Sequence, residues 1–521
     1  MKHLLYLFFL SLLTTQCSPK KTVRQAPMPK FQSLPAAKTN LHFNNQITET
    51  DSLNYFTHPY LYLGAGVATG DFNNDGKTDI FFSGNMVNNA LYINQGDWNF
   101  TEIAKKAGLA MPNKWATGAT LVDINNDGWL DIYVCASGQN TNTANQLFLN
   151  NQNLTFTEVA AEYGLADAGA SIQSTFFDYD NDGDLDCLVA NYPTAPFGAS
   201  NFYYVDKMRN LDPADSDHLY RNNGDGTFTD VSKKSGIANY GLTLGISVAD
   251  FNEDGFADVY LSNDFATPDR FFFNNGDGTF SEKIKETTFQ TSLFGMGCDA
   301  ADFNNDGRMD LMQADMTPKD NRRSKENMAS MNPQAFYDLV NAGFHYQYMY
   351  NALHLNQSGN DGTMFFSDVA QLGGISSTDW SWSNLIADFD NDGFKDIHVT
   401  NGLLRDIRNT DADKKFSKHV EDVSYKYMDE NPNAGEVSIW DILDLDEALK
   451  IVPSEKLSNY AFKNNGDLEF TKITEEWGLD QPTFSNGSAY ADLDNDGDLD
   501  VYFGVVAEDP ATESYSLWLN Q

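Results

Sequence analysis

Oxygen-bearing side chains recur along this chain at the spacing of a cation-binding loop. In Asp178-Tyr179-Asp180-Asn181-Asp182-Gly183-Asp184-Leu185-Asp186, acids stand at positions 1, 3, 5 and 9 and glycine at position 6. Alternate carboxylates on a short loop can converge on one hard cation, and glycine permits the sharp turn. Six further copies begin at Asp71, Asp123, Asp250, Asp302, Asp388 and Asp492. The side-chain ligands expected there are Asp71, Asn73, Asp75 and Asp79; Asp123, Asn125, Asp127 and Asp131; Asp250, Asn252, Asp254 and Asp258; Asp302, Asn304, Asp306 and Asp310; Asp388, Asp390, Asp392 and Asp396; and Asp492, Asp494, Asp496 and Asp500.

An EF-hand would place a bidentate Glu at position 12 between two helices. Position 12 is instead Phe82, Val134, Val189, Leu261, Gln313, Val399 or Phe503, within strand-like runs. That leaves a cation held between two strands, with the carbonyl of position 7 as a further ligand. Oxygen-only, flexible sites suit calcium, with up to seven structural ions, and no His or Cys occupies a ligand position to suggest zinc. The alternative, Asx turns without metal, leaves clustered carboxylates repelling one another.

Each loop must be positioned by what flanks it. A run of apolar or small residues leads in, and a second strand leaves, as in Asp79-Ile80-Phe81-Phe82 or Asp131-Ile132-Tyr133-Val134. A third strand ends at asparagine, as in Leu91-Tyr92-Ile93-Asn94 and Arg270-Phe271-Phe272-Phe273-Asn274. A tight turn such as Asn275-Gly276-Asp277-Gly278 then starts a fourth. Four short antiparallel strands, repeated seven times, predict an all-β, seven-bladed β-propeller over residues 40–521. The last unit stops without its fourth strand, so residues 41–47 are expected to supply it and close the ring. Three units carry insertions between the second and third strands, at 191–217, 315–351 and 401–459, on the face opposite the loops. Helical patterns are expected there over 333–340 and 440–451.

With 74 acids against 34 bases, the net charge of −40 excludes nucleic acid as a partner. Of those acids, 24 occupy the expected ligand positions, so the charge speaks first of cations. Residues 1–17 read as an export signal: Lys2 and His3 precede an apolar segment too short to span a bilayer, and then comes Cys17. Cys17 matches the lipidated cysteine of a bacterial lipoprotein, with 18–39 as a flexible tether. The expected address is the outer membrane or cell surface, or otherwise the periplasm or medium, with membrane contact through the lipid alone. Cys135, Cys187 and Cys298 sit in or beside apolar strands and read as small buried hydrophobes.

The acidic loop, the Phe-Asn or Tyr-Asp pair within it and the strand that follows resemble the FG-GAP/VCBS repeat of the integrin alpha-subunit propeller. They also resemble bacterial secreted proteins related to cartilage acidic protein, of the ASPIC/UnbV type. The resemblance implies calcium loops on one face and ligand contact on the other, without a catalytic set to transfer. It also implies an ASPIC/UnbV domain after the propeller, for which no sequence follows Gln521.

The ligand-face candidates are Tyr203, Tyr204, His345, Tyr346, Arg405 and Arg408 in the insertions, with Trp380 and Trp382 in the run that leads into the sixth loop, where the alternative for the two tryptophans is inner-strand core. Together these features predict a calcium-binding adhesion module for a glycan or an envelope protein, not an enzyme. The alternative is a polysaccharide lyase or hydrolase using His345, His398, Arg405 or Arg408. No nucleophile motif or cofactor fingerprint accompanies those residues, and no acid pair lies outside the loops.

Overall fold

The computed structural model describes residues 30–58, 61–112, 114–137, 143–196, 199–327, 332–359, 363–505 and 516–520. The expected signal and Cys17 lie outside them. Among the described residues there are seven four-stranded antiparallel sheets. The first strand of each packs against the first strand of the next, and Ser485–Ala491 returns to Val67–Gly70, so the sheets form a closed propeller ring.

The sequence of each strand matches its depth in the blade. Second strands such as Asp79–Phe82 and Asp186–Asn191 are buried along their whole length, as strands sandwiched between neighbours must be. First strands line the central channel and approach one another closely. A Cβ on Gly118 would lie 2.4 Å from the Ile172 carbonyl oxygen of the next blade. Six of the seven fourth strands are three-residue pieces such as Phe100–Glu102, which is buried only at its phenylalanine. A single helical turn, such as Ala104–Ala107, closes the unit and ends at glycine in the left-handed region, φ 85° at Gly108.

The ring closes upstream of the expected place. The fourth strand of the last blade is Phe31–Leu34, paired antiparallel with Ser516–Asn520, and residues 41–47 form no strand. The expected tether over 18–39 therefore contains this strand and a helical turn, Ala36–Thr39. Phe31 to Leu41 repeats the closing segment of the other units: Phe31 and Leu34 stand where Phe100 and Ile103 do, and Asn40-Leu41 replaces Gly108-Leu109. Asn40 takes the left-handed conformation, φ 57°, that glycine takes elsewhere.

All three insertions leave the ends of second strands away from the acidic loops. They carry Asn201–Arg209, Pro333–Asn341, Thr410–Glu430 and Leu445–Ile451 as helices. The helix expected over 440–451 is a 3-10 turn, Ile439–Asp441, followed by the shorter helix, while the 21-residue Thr410–Glu430 carried no expectation. No helix among the described residues is long and apolar enough to cross a membrane.

Candidate functional sites: a ring of acidic loops and an opposed cavity

Every loop is wound around its first aspartate. The Asp71 carboxylate accepts from the N–H groups of Asp75 at 3.1 Å and Gly76 at 2.7 Å, and the other loops repeat the pair. Position 4 lies at φ between 53° and 61° throughout, filled by asparagine except at Glu253. The position 9 aspartate is buried and joins two elements. Asp79 accepts from Phe72 N–H within the loop at 3.0 Å and from Asn94 N–H on the third strand at 2.7 Å.

The strand-ending asparagines, read from sequence only as strand ends, tie blade to blade. Asn274 Nδ2 donates to the Tyr179 carbonyl of the preceding loop at 2.7 Å, and Asn94, Asn150, Asn356, Asn464 and Asn520 do the same. A second rail runs along the loops: Asn74, Asn181, Asn305 and Asn495 donate to the position 6 glycine carbonyl of the next loop. The signal for the first tie was in the sequence, but its acceptor lies on another blade.

The donor set fits a hard cation. Asp178, Asp180 and Asp186 each offer an oxygen within 4.8 Å of the others, as do Asp388, Asp390 and Asp396, and Asp492, Asp494 and Asp500. Oδ1 of Asp180 and of Asp390 is buried without a hydrogen-bond partner. Burial, aided by the neighbouring acids and opposed by backbone donors, pushes Asp186 and Asp500 up to about 7. A cation would reverse that shift by favouring the ionised form. In the sixth loop Lys463 reaches Asp390 and Asp392, the latter at 2.6 Å, with its ammonium against the carboxylates. In the loops with Asn at position 3, that amide donates to the position 5 carboxylate, as Asn73 does to Asp75 at 3.2 Å.

At the other end of the ring, all three insertions and the segment at Tyr55-Phe56 converge on one cavity of about 790 Å³. Its walls are largely aromatic: Phe56 stacks on Phe416 at 4.2 Å, and Trp440, Phe265, Phe294 and Phe336 complete them. Two of the walls rest on ion pairs. Buried Arg323 donates to Asp379 at 2.8 and 2.9 Å, to Asp406 at 3.2 Å and to Glu455 at 2.8 Å, joining the second and third insertions. Arg405 meets Glu49 at 3.3 Å.

The expected ligand-face residues divide. Tyr204, His345 and Arg408 line the cavity. Tyr203 packs edge-on against Tyr204, and Tyr346, exposed, stacks on Phe336. Neither tryptophan belongs to this face: Trp380 is buried in the core with Tyr62 and Leu403, and Trp382 lines the central channel, its indole N–H donating to the Gly402 carbonyl at 2.7 Å. Burial pushes His345 down to about 4 and His398 to about 3, so both rings are neutral near pH 7. Sequence reasoning missed Phe56, Phe265, Phe294, Phe336, Asp413, Phe416 and Trp440. The signal for Asp413 and Phe416 was the cap at Asn409, which accepts from Asp411 N–H and Ala412 N–H and starts their helix. Cys135, Cys187 and Cys298 are free thiols.

A family model described as an FG-GAP-like repeat matches residues 71–134, 125–189, 208–261, 250–312 and 450–503, together more than half of the chain. Cartilage acidic protein 1 of Homo sapiens is 29% identical over 266 residues, which are 48% of this chain and 39% of that protein. The Xenopus tropicalis protein of that name is 28% identical over 204 residues, 38% of this chain and 29% of its own length. The matched part thus spans less than half of these curated relatives. Among solved structures, an Agrocybe aegerita lectin recognising non-reducing terminal N-acetylglucosamine is similar at a TM-score of 0.38 and 14% identity, covering 82% of this chain and 87% of that one. A Bacillus licheniformis rhamnogalacturonan lyase is similar at 0.38 and 11%, covering 88% and 72%. Likeness that loose carries no argument about what this chain binds or does. The repeats decide the family: the chain belongs to the FG-GAP-like repeat proteins.

Proposed function

We propose that this chain is an exported, calcium-stabilised propeller that works as a binding or adhesion module, taking a glycan or another envelope protein on its insertion face. The observation that carries this is the convergence of all three insertions on one aromatic-walled cavity at the end of the ring away from the acidic loops. Conserving the loop end for cations leaves the other end to recognise a partner. The loops are proposed to hold calcium because their donors are all oxygen and Oδ1 of Asp180 and of Asp390 is buried without a hydrogen-bond partner. Lipidation at Cys17 is part of the same reading. Phe31 pairs with Asn520, whose N–H meets Asp500 of the last loop, so the chain enters the ring at the loop end. A tether running from Cys17 to that point would turn the insertion face away from the membrane. A polysaccharide-cleaving activity has less behind it: His345 contacts Thr288 at 3.1 Å, His398 lies buried within a strand, and Arg405 is paired.

The test is calcium-loaded protein on immobilised glycans and on envelope extracts, with a polysaccharide panel scored for released sugars. Retention of one glycan or protein class, abolished by substitutions on the insertion face, is expected. Sugar release, or no retention by folded protein, would overturn the reading.

A further inference from the structure

Arg408 is out of keeping with the rest of the molecule. Acids outnumber bases 74 to 34, yet its guanidinium makes no direct hydrogen bond or close ion pair with any described residue, although it lies near enough to Asp264 and Asp413 for its charge to favour their ionised forms. It lies instead over the rings of Phe265 and Phe294, at 4.9 and 5.5 Å, on the wall of the insertion-face cavity. Stacking on two rings holds the plane of the cation while leaving its N–H donors open. A second polar group in the same wall is unsatisfied: Gln347 is 2% exposed, and its Oε1 accepts from no group. An unpartnered buried acceptor is costly, but a carboxylate head only accepts, so Gln347 does not choose the ligand and the choice rests on Arg408 and the apolar walls. The other charged group of the lining, Asp413, is exposed, and His345 is neutral near pH 7. The cavity therefore offers a long apolar body site, one available cation and one buried acceptor.

From this we infer that the cavity binds an amphipathic carboxylate, an acyl or aryl chain bearing a single anionic head that pairs with Arg408. One cation, with Asp413 at the rim, suits one negative charge and disfavours phosphates of higher charge. Aromatic and aliphatic walls suit hydrocarbon better than they suit a sugar, whose hydroxyls would go largely unpaired. A cavity of about 790 Å³ falls in the range of small-molecule sites. The inference rests on the insertion face being the ligand face, and it names the chemistry of the buried part of that site.

The experiment is titration calorimetry of the full, calcium-loaded chain with hexanoate, octanoate and decanoate, below micelle-forming concentrations, and with decanol and decyltrimethylammonium as controls. Affinity is expected to rise about fourfold for each added methylene that enters the cavity. Arg408→Gln is expected to weaken decanoate at least tenfold, the worth of a charged hydrogen bond, and to leave decanol unchanged. Ala335→Trp, which fills the cavity from the Pro333–Asn341 helix, is expected to abolish binding of all three acids, with melting curves checking that both variants fold. Absence of carboxylate binding by folded protein, tighter binding of the ammonium, or a decanoate affinity indifferent to Arg408→Gln would each overturn the inference. Glycan or envelope-protein retention that survives Ala335→Trp would overturn the cavity assignment and leave the adhesion reading standing.

Discussion

Replacing Asn274 by alanine removes a tie between blades, and the structure supplies its own control. The Asn274 side chain, 3% exposed, donates to the Tyr179 carbonyl at 2.7 Å and the Ala257 carbonyl at 3.2 Å, and accepts from Gly276 N–H at 3.0 Å. Each such bond stabilises by about 1 kcal/mol net, and a buried carbonyl left unpaired adds to the loss. The Asn274→Ala variant should therefore be less stable by about 3 kcal/mol. Asn222 stands at the same place one blade earlier. It reaches only the Leu185 carbonyl and Gly224 N–H of its own blade, at 3.2 and 3.0 Å, in a half-buried setting. Both of these bonds are exposed to water and stand at the low end, about 0.5 kcal/mol each, so Asn222→Ala should lose about 1 kcal/mol. The difference of about 2 kcal/mol between the two variants is the worth of the tie. Urea titrations followed by tryptophan fluorescence, with both variants in the same calcium buffer, measure it as a difference in midpoint. Equal losses would refute the reasoning, because the tie would then add nothing beyond the bonds within a blade.

Chelation should lower the melting temperature: at about 1 mM calcium and a dissociation constant of about 10⁻⁴ M, each occupied loop adds about 1.4 kcal/mol. An unchanged melting curve in protein shown by elemental analysis to be metal-free would refute this. Glu253 holds the left-handed conformation, φ 60°, that asparagine holds in the other loops, so Glu253→Asn should raise stability by about 0.5–1 kcal/mol. A melting temperature equal to or below that of the parent would contradict that account. Burial alone would keep His218 neutral. The Asp167 carboxylate, 2.6 Å from Nδ1, and the Pro213 carbonyl outweigh burial and push it up to about 9. A folded value above the unfolded one means stability fully present below about pH 6.5 and lost as pH rises through about 9. His218→Gln should therefore cost at most about 3 kcal/mol at pH 6, and the gap should narrow by pH 9.5. A gap independent of pH would count against the ion pair.

The acidic loops were legible because their constraint is local: nine residues must return on themselves, and only certain types do so at positions 1, 4 and 6. The blade was legible for the same reason, since each strand declares its depth by its own apolar pattern. The closing strand was misplaced because its landmarks are altered there: asparagine stands for glycine at Asn40, and Pro35 precedes the turn. Residues 41–47 alternate more plainly and drew the assignment. For Trp380 and Trp382 the sequence leaves both a ligand-face and an inner-strand core position open, and a bulge between Ser381 and Asn384 breaks the register there. One side chain then enters the core and the other the channel. The cavity was beyond sequence reasoning, since it joins residues from Tyr55 to Val452 that share no repeat.

The two ends of the ring obey different rules. At the loop end every acidic loop has one length, because position 9 must meet both its own loop and a third-strand asparagine, and that asparagine must reach the preceding loop. An inserted residue would break a bond shared by two blades. At the other end a repeated bond clamps only the base of the second-to-third-strand connection, where Asn89, Asn145, Asp217, Asp269, Asn351 and Asn459 each accept from an N–H at the end of the second strand, so the chain between the two residues can lengthen without disturbing the ring. What they need is local support, and it comes from groups outside the repeat. Arg323 binds the second insertion to the third through Asp406 and Glu455 and also holds Asp379, and because Asp379 and Asp406 are buried beside it, removing the arginine would leave their charges uncompensated. The cavity wall thus has its own fastening, chemically separate from the acidic loops. Substitutions at Arg323 should reach ligand binding before they reach the blades, while substitutions in the loops should do the reverse.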